Sequence, residues 1–379
     1  MRWFWTLLIL GILGYSGYSY WQGRSTSLDD SGGAEAAQGG GGARPLTPSL
    51  SEEPQLREEI QGRKSPEGDG ARYRLALRLL GQESKASREE GRQLLDEIVA
   101  GQGELAPKAA ATLFLESGDT GERLGAARVV VAFGSASPAY AQSSLELGQA
   151  GLAHSEDSLQ VQAWEYLSTA YFARLDPEWR AAIRPDLQAL VERLVFSPRM
   201  SRACTQYTVR SGDNLARIAR EFGTTVEIIK WINRLDSDLI HSGTRLKILT
   251  GAITIEVDKS DFRLDARFDE KFLFSARVGI GEYGKTPEGA FVIDTRQERP
   301  DWQRIGHPVV RYGKPENPLG ERWLGFKDTP EYRGYGIHGT DKPDTIGVES
   351  SNGCIRMRNE DVVVLYRLVP KGTRVFIRE

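Results

Sequence analysis

The hydrophobic residues of this chain change period twice, and each change limits what the next stretch can fold into. Up to about Arg199 they recur at helical spacing: Tyr73, Ala76, Leu77 and Leu80 fall at i, i+3, i+4, i+7, and so do Leu187, Leu190, Val191 and Leu194. From Ile253 onward alternation takes over, in Ile253, Ile255 and Val257, then Phe262, Leu264 and Ala266, then Phe274, Ala276 and Val278. Between them, Tyr207 to Leu249 mixes both periods. The expected fold is therefore multidomain, with an all-α helical-hairpin domain over residues 56–200, a small βααβ domain over 205–250 and a mostly-β domain over 252–379. That last domain reads as a mostly antiparallel sandwich or barrel with one short helix, Asn359 to Leu368.

Ahead of these lie two segments of other character. Residues 1–21 read as a membrane anchor or signal segment: Arg2 precedes an apolar stretch with Trp3, Phe4 and Trp5 at one end and Tyr18, Tyr20 and Trp21 at the other. About 20 apolar residues span a bilayer, and aromatic ends suit its interfaces. The strongly apolar centre, Leu7 to Leu13, is of signal-peptide length, so cleavage is the alternative; no clear small-residue cleavage site follows, which favours an anchor helix. Either reading puts the rest of the chain outside the cytoplasm, in the periplasm or cell envelope. Residues 22–55 are rich in Gly, Ser and Pro and read as a flexible tether, whose reach as a random coil is roughly 30 to 35 Å.

The helical stretch is punctuated by Gly118, Gly134, Pro138, Gly151 and Pro185, consistent with a solenoid-like array, although no fixed period can be aligned. Its aromatic stripe, Trp164, Tyr166, Tyr171 and Phe172, reads as core packing ahead of a peptide groove. A protein partner for this region is an open expectation. With 49 basic and 52 acidic residues in 379, the net charge of −3 gives no basic excess for nucleic acid. Two cysteines, Cys204 and Cys354, and four scattered histidines match no metal spacing, so no metal and no cofactor is expected.

In the mixed segment, Tyr207-Thr208-Val209-Arg210 alternates as a strand and Ser211-Gly212-Asp213 makes a turn that can cap a helix carrying Leu215, Ile218, Ala219 and Phe222. Gly223 ends it; Thr224 with Glu227 forms a capping-box pattern for a second helix with Ile228, Ile229 and Ile232, and Arg245 to Leu249 is the closing strand. This segment resembles the lysin motif (LysM), a family of small modules that bind the N-acetylated sugars of peptidoglycan or chitin. The resemblance implies glycan contact from the two loops at one end, through Gly212, Asp213, Asn214 and Leu215 on one side and the stretch Leu235 to Ile240, with Ser237 and Ile240, on the other.

Two short pieces near the C-terminus carry the chemistry. Ile337-His338-Gly339-Thr340 offers an imidazole, and Ser351-Asn352-Gly353-Cys354-Ile355-Arg356 a thiol and a guanidinium. A thiol attacks as thiolate and needs a nearby base or cation, which His338 and Arg356 can supply. Gly353 removes a side chain where a substrate carbonyl must approach, and backbone N–H groups there can hold an oxyanion. Residues from about 253 to 378 resemble the L,D-transpeptidase catalytic family, on Thr286-Pro287-Glu288-Gly289-Ala290-Phe291, Asn317-Pro318-Leu319-Gly320, Trp323-Leu324-Gly325, His338-Gly339-Thr340 and the Cys354 motif. The resemblance implies Cys354 as nucleophile, His338 as general base and Gly339 as the residue whose carbonyl orients the imidazole. Arg356, with Ser351, Asn352 and Gly353, would meet the substrate. Many family members carry histidine where Asn352 stands, so any titrating role of that position is lost here.

The function so implied is acyl transfer by a cysteine, from a peptidoglycan stem tetrapeptide to an amine acceptor, with stem peptides and glycan strands as partners. The same machinery would serve an L,D-carboxypeptidase or a protein-to-peptidoglycan ligase; a non-catalytic wall-binding scaffold is the rival of another class.

Overall fold

The structure is a computed structural model that describes residues 52–173, 177–303 and 308–379. The anchor expected over 1–21 and nearly all of the tether over 22–55 lie outside the described residues; no described helix is long and apolar enough to cross a membrane. Glu53, inside the stretch expected as tether, already opens the first helix with Pro54 in its first turn, where a missing N–H costs nothing.

The described helical region runs through α1 (Glu53–Ile60), α2 (Asp69–Leu80), α3 (Lys85–Gly101), α4 (Ala106–Glu116), α5 (Thr120–Ala132), α6 (Tyr140–Leu152), α7 (Asp157–Phe172) and α8 (Pro177–Val191). Helix starts follow side-chain chemistry: Ser84 accepts from the Ser87 N–H at 3.3 Å, and Asp119 from the Gly121 and Glu122 N–H groups at 2.8 and 3.1 Å. Each helix packs on the next.

The lysin-motif segment pairs β1 (Thr205–Thr208) antiparallel with β2 (Arg245–Ile248) around α9 (Leu215–Glu221) and α10 (Val226–Asn233). Two details differ from the sequence expectation. The α9 cap is Asn214, whose side chain accepts from the Arg217 N–H at 2.8 Å, because Asp213 is already spent on the Tyr207 hydroxyl and the Arg210 N–H at 2.7 Å each. The α10 cap is Thr225, accepting from the Ile228 N–H at 3.0 Å, one residue beyond the expected Thr224. The apolar stripe of α10 also divides: Ile229 faces the module's own core, whereas Ile228 and Ile232 join the core shared with the rest of the chain.

The C-terminal domain comprises β3 (Ile253–Asp258), β4 (Arg263–Phe268), β5 (Lys271–Arg277), β6 (Ile280–Gly281), β7 (Gly289–Glu298), β8 (Arg322–Phe326), β9 (Gly336–His338), β10 (Glu349–Ser351), β11 (Ile355–Arg356), α11 (Asn359–Leu368) and β12 (Arg374–Arg378). Eight strands form one sheet in the order β11-β9-β8-β7-β12-β3-β4-β5, antiparallel except at β11–β9 and β12–β3. Strand β7 pairs with β12 through Gly289 to Val292 and with β8 through Ile293 to Glu298, with a register slip between Ile293 and Thr295. One long strand thus turns a corner between two half-sheets. Gly279, between β5 and β6, exchanges backbone hydrogen bonds with Arg356 of β11 at 2.9 and 2.8 Å, and β6 pairs parallel with β10, so the chain beyond β5 returns to the β11 edge and the sheet fits the expected mostly-β domain.

Helix α7 lies along the β5 edge. The Trp164 indole N–H donates to the Phe272 carbonyl at 2.7 Å, and the Phe272 N–H donates to Ser168 Oγ at 2.9 Å. Tyr171 adds a hydroxyl contact to Asp265 at 3.1 Å. Side chains of a helix therefore satisfy both backbone groups of Phe272 on β5, which an exposed edge would offer to another chain. The expected aromatic stripe is core, as its Trp164 and Tyr171 are buried here.

The lysin-motif segment is fastened equally firmly. Buried Lys247 donates to the carbonyls of Leu194, Ser197 and Arg199 at 2.8 Å each, at the end of the helical region. Trp231 stacks on Phe196 with centroids 4.5 Å apart, Thr225 bonds the Arg367 carbonyl on α11, and Arg296 spans Glu227 and the Tyr366 carbonyl at 3.3 and 2.7 Å. Lys247→Met keeps the stem but strips donors from buried carbonyls, and should destabilise the chain by about 2 kcal/mol. A thermal or urea melt reads this directly, and an unchanged midpoint would show that the ammonium holds nothing.

Candidate active site

Strand alternation brings the two chemical motifs onto one face. Strands β9 and β11 run parallel with Ile337 opposite Ile355 and His338 opposite Arg356. Side chains two apart share a face, so Cys354, just before β11, points the same way as Arg356 and hence as His338. Buried Ile337 and Ile355 fill the opposite face. Trp323 of β8 pairs with His338 on the other side, its ring 5.9 Å from the imidazole.

His338 is almost fully buried. Its Nδ1 lies 2.6 Å from the Gly339 carbonyl oxygen, which can only accept, so Nδ1 carries the proton and Nε2 keeps its lone pair. Burial pushes its pKa down to about 4; the Gly339 hydrogen bond partly opposes this and the Arg356 charge reinforces it. Cys354 is a half-buried free thiol, its Sγ 3.7 Å from the Gly334 carbonyl oxygen. Burial pushes the thiol pKa up, more than a Gly336 backbone hydrogen bond and the Arg356 charge pull it down. The expected lowering of the thiol pKa by Arg356 is thus outweighed. Both groups rest neutral at pH 7, as a thiol and an imidazole free to accept its proton.

The loop that carries Cys354 is held by its own small residues. Ser351 is buried; its hydroxyl donates to the Cys354 carbonyl at 2.7 Å and accepts from the Gly353 N–H at 3.0 Å. Gly353 has φ 123, and a Cβ there would lie 2.6 Å from Tyr335 Cε1, so a side chain is excluded twice over. The Gly353 N–H is thus spent on Ser351, whereas the Cys354 N–H keeps its hydrogen free among the described residues. Thr286 donates to the Gly353 carbonyl at 2.9 Å and accepts from the Gly281 N–H at 2.8 Å. This staple went unassigned in the sequence, though Thr286 opens one of the motifs quoted above. Asn352 is exposed. Arg356 donates to the Ser350 carbonyl and hydroxyl at 3.1 and 3.3 Å, its Nε has no partner, and no carboxylate pairs with it among the described residues.

The six glycan-loop residues are less uniform. Gly212, with φ 83, and Ser237 are exposed, and Ile240 is half-buried. Leu215 is buried in the module core, and Asp213 is held by Tyr207, Arg210 and an ion pair with Arg217. Asn214 is engaged in capping. Leu239, which no sequence pattern singles out within the stretch Leu235 to Ile240, is 71% exposed in the middle of the second loop.

Residues 252–377 match the L,D-transpeptidase catalytic domain and residues 207–249 the LysM domain. Among relatives, YqjB of Bacillus subtilis (strain 168), an L,D-transpeptidase by name, is 46% identical over 134 residues, covering 35% of this chain and 74% of its own length. YkuD of Bacillus licheniformis, likewise named, is 32% identical over 181 residues, 45% of this chain and 97% of its own. The solved catalytic domain of the E. faecium L,D-transpeptidase is 24% identical, covering 34% of this chain and 98% of that one, with a TM-score of 0.28.

Proposed function

This chain belongs to the L,D-transpeptidase family, with a LysM domain that suggests peptidoglycan binding and a cell-wall, extracytoplasmic location, and from that premise we propose how its residues carry the reaction. Cys354 Sγ attacks the carbonyl of the third residue of a stem tetrapeptide while His338 Nε2 takes the thiol proton. The tetrahedral oxyanion is held by the Cys354 N–H. Collapse breaks the bond to the terminal D-alanine, whose amine leaves with the proton from His338, and a thioester remains on Cys354. An acceptor amine then attacks the thioester and restores the thiol. Arg356, which pairs with no carboxylate among the described residues, offers its planar fork to the stem carboxylate.

The observation that carries this reading is the shared face of Cys354, His338 and Arg356, with the imidazole tautomer fixed by the Gly339 carbonyl. Its test is incubation of the protein with disaccharide-tetrapeptides and mass spectrometry of the products. Cross-linked dimers with release of D-alanine are expected; tripeptide monomers alone would mean that water is the acceptor, and unchanged substrate would favour a binding scaffold. The apolar stretch with aromatic ends over residues 1–21 supports an anchor that holds this chemistry at the membrane surface.

For the LysM domain we infer glycan contact at the exposed end of its two loops. Leu239 is the most exposed large apolar side chain of those loops, so Leu239→Ser should weaken co-sedimentation with purified peptidoglycan about fivefold while leaving the melt unchanged, since an exposed side chain newly buried by a ligand is worth about 1 kcal/mol. Equal pelleting of both proteins would remove this loop from the contact.

A further inference from the structure

Leu239 and Tyr283 are the two most exposed large apolar side chains among the described residues, at 71% and 89%; the next, Val309, is at 47%. Scattered exposed apolar residues are ordinary. These two fall in the glycan loop of the LysM domain and beside the nucleophile loop.

Tyr283 occupies the turn Glu282–Gly284 between β6 and β7. Its backbone is left-handed, with φ 56 and ψ 40, which a bulky residue rarely adopts. The turn is fixed from several sides. The Tyr283 N–H donates to the Glu349 carboxylate at 3.1 Å and the Lys285 N–H to the Glu282 carbonyl at 3.1 Å. On one flank Gly281 has no room for a side chain, as a Cβ there would lie 2.8 Å from Gly353 Cα. On the other, Thr286 bonds the Gly353 carbonyl. The turn and the residue before Cys354 are therefore one mechanical piece, and the phenol side chain leaves it from a fixed point of the backbone close to Gly353.

The ring contributes nothing to the core, and no other aromatic ring packs on it among the described residues. Lys285 Nζ lies 5.9 Å from its centroid, and the carboxylates of Glu282 and Glu349 belong to the same turn and its partner strand. An open apolar face bordered by an ammonium and carboxylates matches a pyranose, which presents a C–H face and a rim of hydroxyl and amide groups. We propose that Tyr283 is a positioning residue on which a sugar ring of the donor glycan stacks, so that the stem peptide attached to it is delivered to Cys354. The proposal rests on the peptidoglycan reading given above.

The test uses the full chain and two donors, a disaccharide-tetrapeptide and the free tetrapeptide, with kcat and KM from D-alanine release. Tyr283→Ala should raise KM for the disaccharide-peptide about five- to tenfold, with its kcat and both constants for the free peptide moving less than about twofold. Tyr283→Phe should behave as wild type. Tyr283→Gly suits the left-handed backbone, so it should melt at or above the wild-type temperature yet match the alanine variant in KM, which separates the ring from the turn. Equal loss on both donors, or loss on neither with an active wild type, overturns the platform. A wild type inactive on both donors refutes the peptidoglycan reading, and the platform falls with it.

Discussion

Cys354→Ala should lower D-alanine release from a disaccharide-tetrapeptide by about ten-thousandfold or more, because the variant has no atom on which the acyl group can rest. The chain's other thiol cannot stand in. Cys204 sits at the junction of the helical and LysM segments, and burial raises its pKa as well. Nor should the loop collapse, since Ser351 binds the Cys354 carbonyl and the Gly353 N–H, neither of which the substitution touches. A melt within a degree or two of wild type would establish that the loss is chemical. Residual activity above about one per cent would exclude a covalent intermediate on this residue.

His338→Gln should cost about a hundred- to ten-thousandfold, the usual worth of a positioned general base. Glutamine can still donate to the Gly339 carbonyl but cannot take a proton, so geometry is largely kept while the base is lost. The pH profile makes the sharper statement. His338 accepts the thiol proton only when neutral, and burial holds its pKa at about 4; activity should therefore persist well below the ordinary histidine range and fall as the pH drops through about 4. Cys354 shifts the other way, so its alkylation by iodoacetamide in the resting enzyme should still be rising through the pH range where free thiols have already ionised. An acid limb near 6.5, or early saturation of alkylation, would indicate a resting thiolate–imidazolium pair instead.

The period of the apolar residues made the three folded segments legible, and the five motifs made the chemistry legible, because strand alternation and loop composition are local properties. Cys354 and Arg356 share a face by local alternation, whereas His338 joins them through the register of β9 against β11. What the sequence did not reveal depends on groups brought from afar. That Thr225 and not Thr224 caps α10 follows from its second bond, to the Arg367 carbonyl of a helix far along the chain. That Asp213 is no free ligand follows from Tyr207, Arg210 and Arg217 closing on it. The burial that shifts the pKa values of Cys354 and His338 sums over the whole domain, and neither direction could be read from a Cys and a His in a string. The register slip in β7 likewise falls where it changes partner from β12 to β8, a fact about neighbours and not about its composition.

The hydrogen bond from Trp164 to Phe272 joins residues 108 positions apart, and that separation sets an order of events. When the chain leaves the ribosome, or emerges on the far side of a membrane, α7 is made and can coil on local contacts long before β5 exists. Until then its indole and the Ser168 hydroxyl have no strand to meet. The helical region is thus left with an unfinished surface that only the last third of the chain can complete, and the enzyme domain in turn acquires its outermost strand against a template already in place. Growth of the chain and assembly of the sheet are coupled in time, with the N-terminal half serving as the mould for the edge of the C-terminal one.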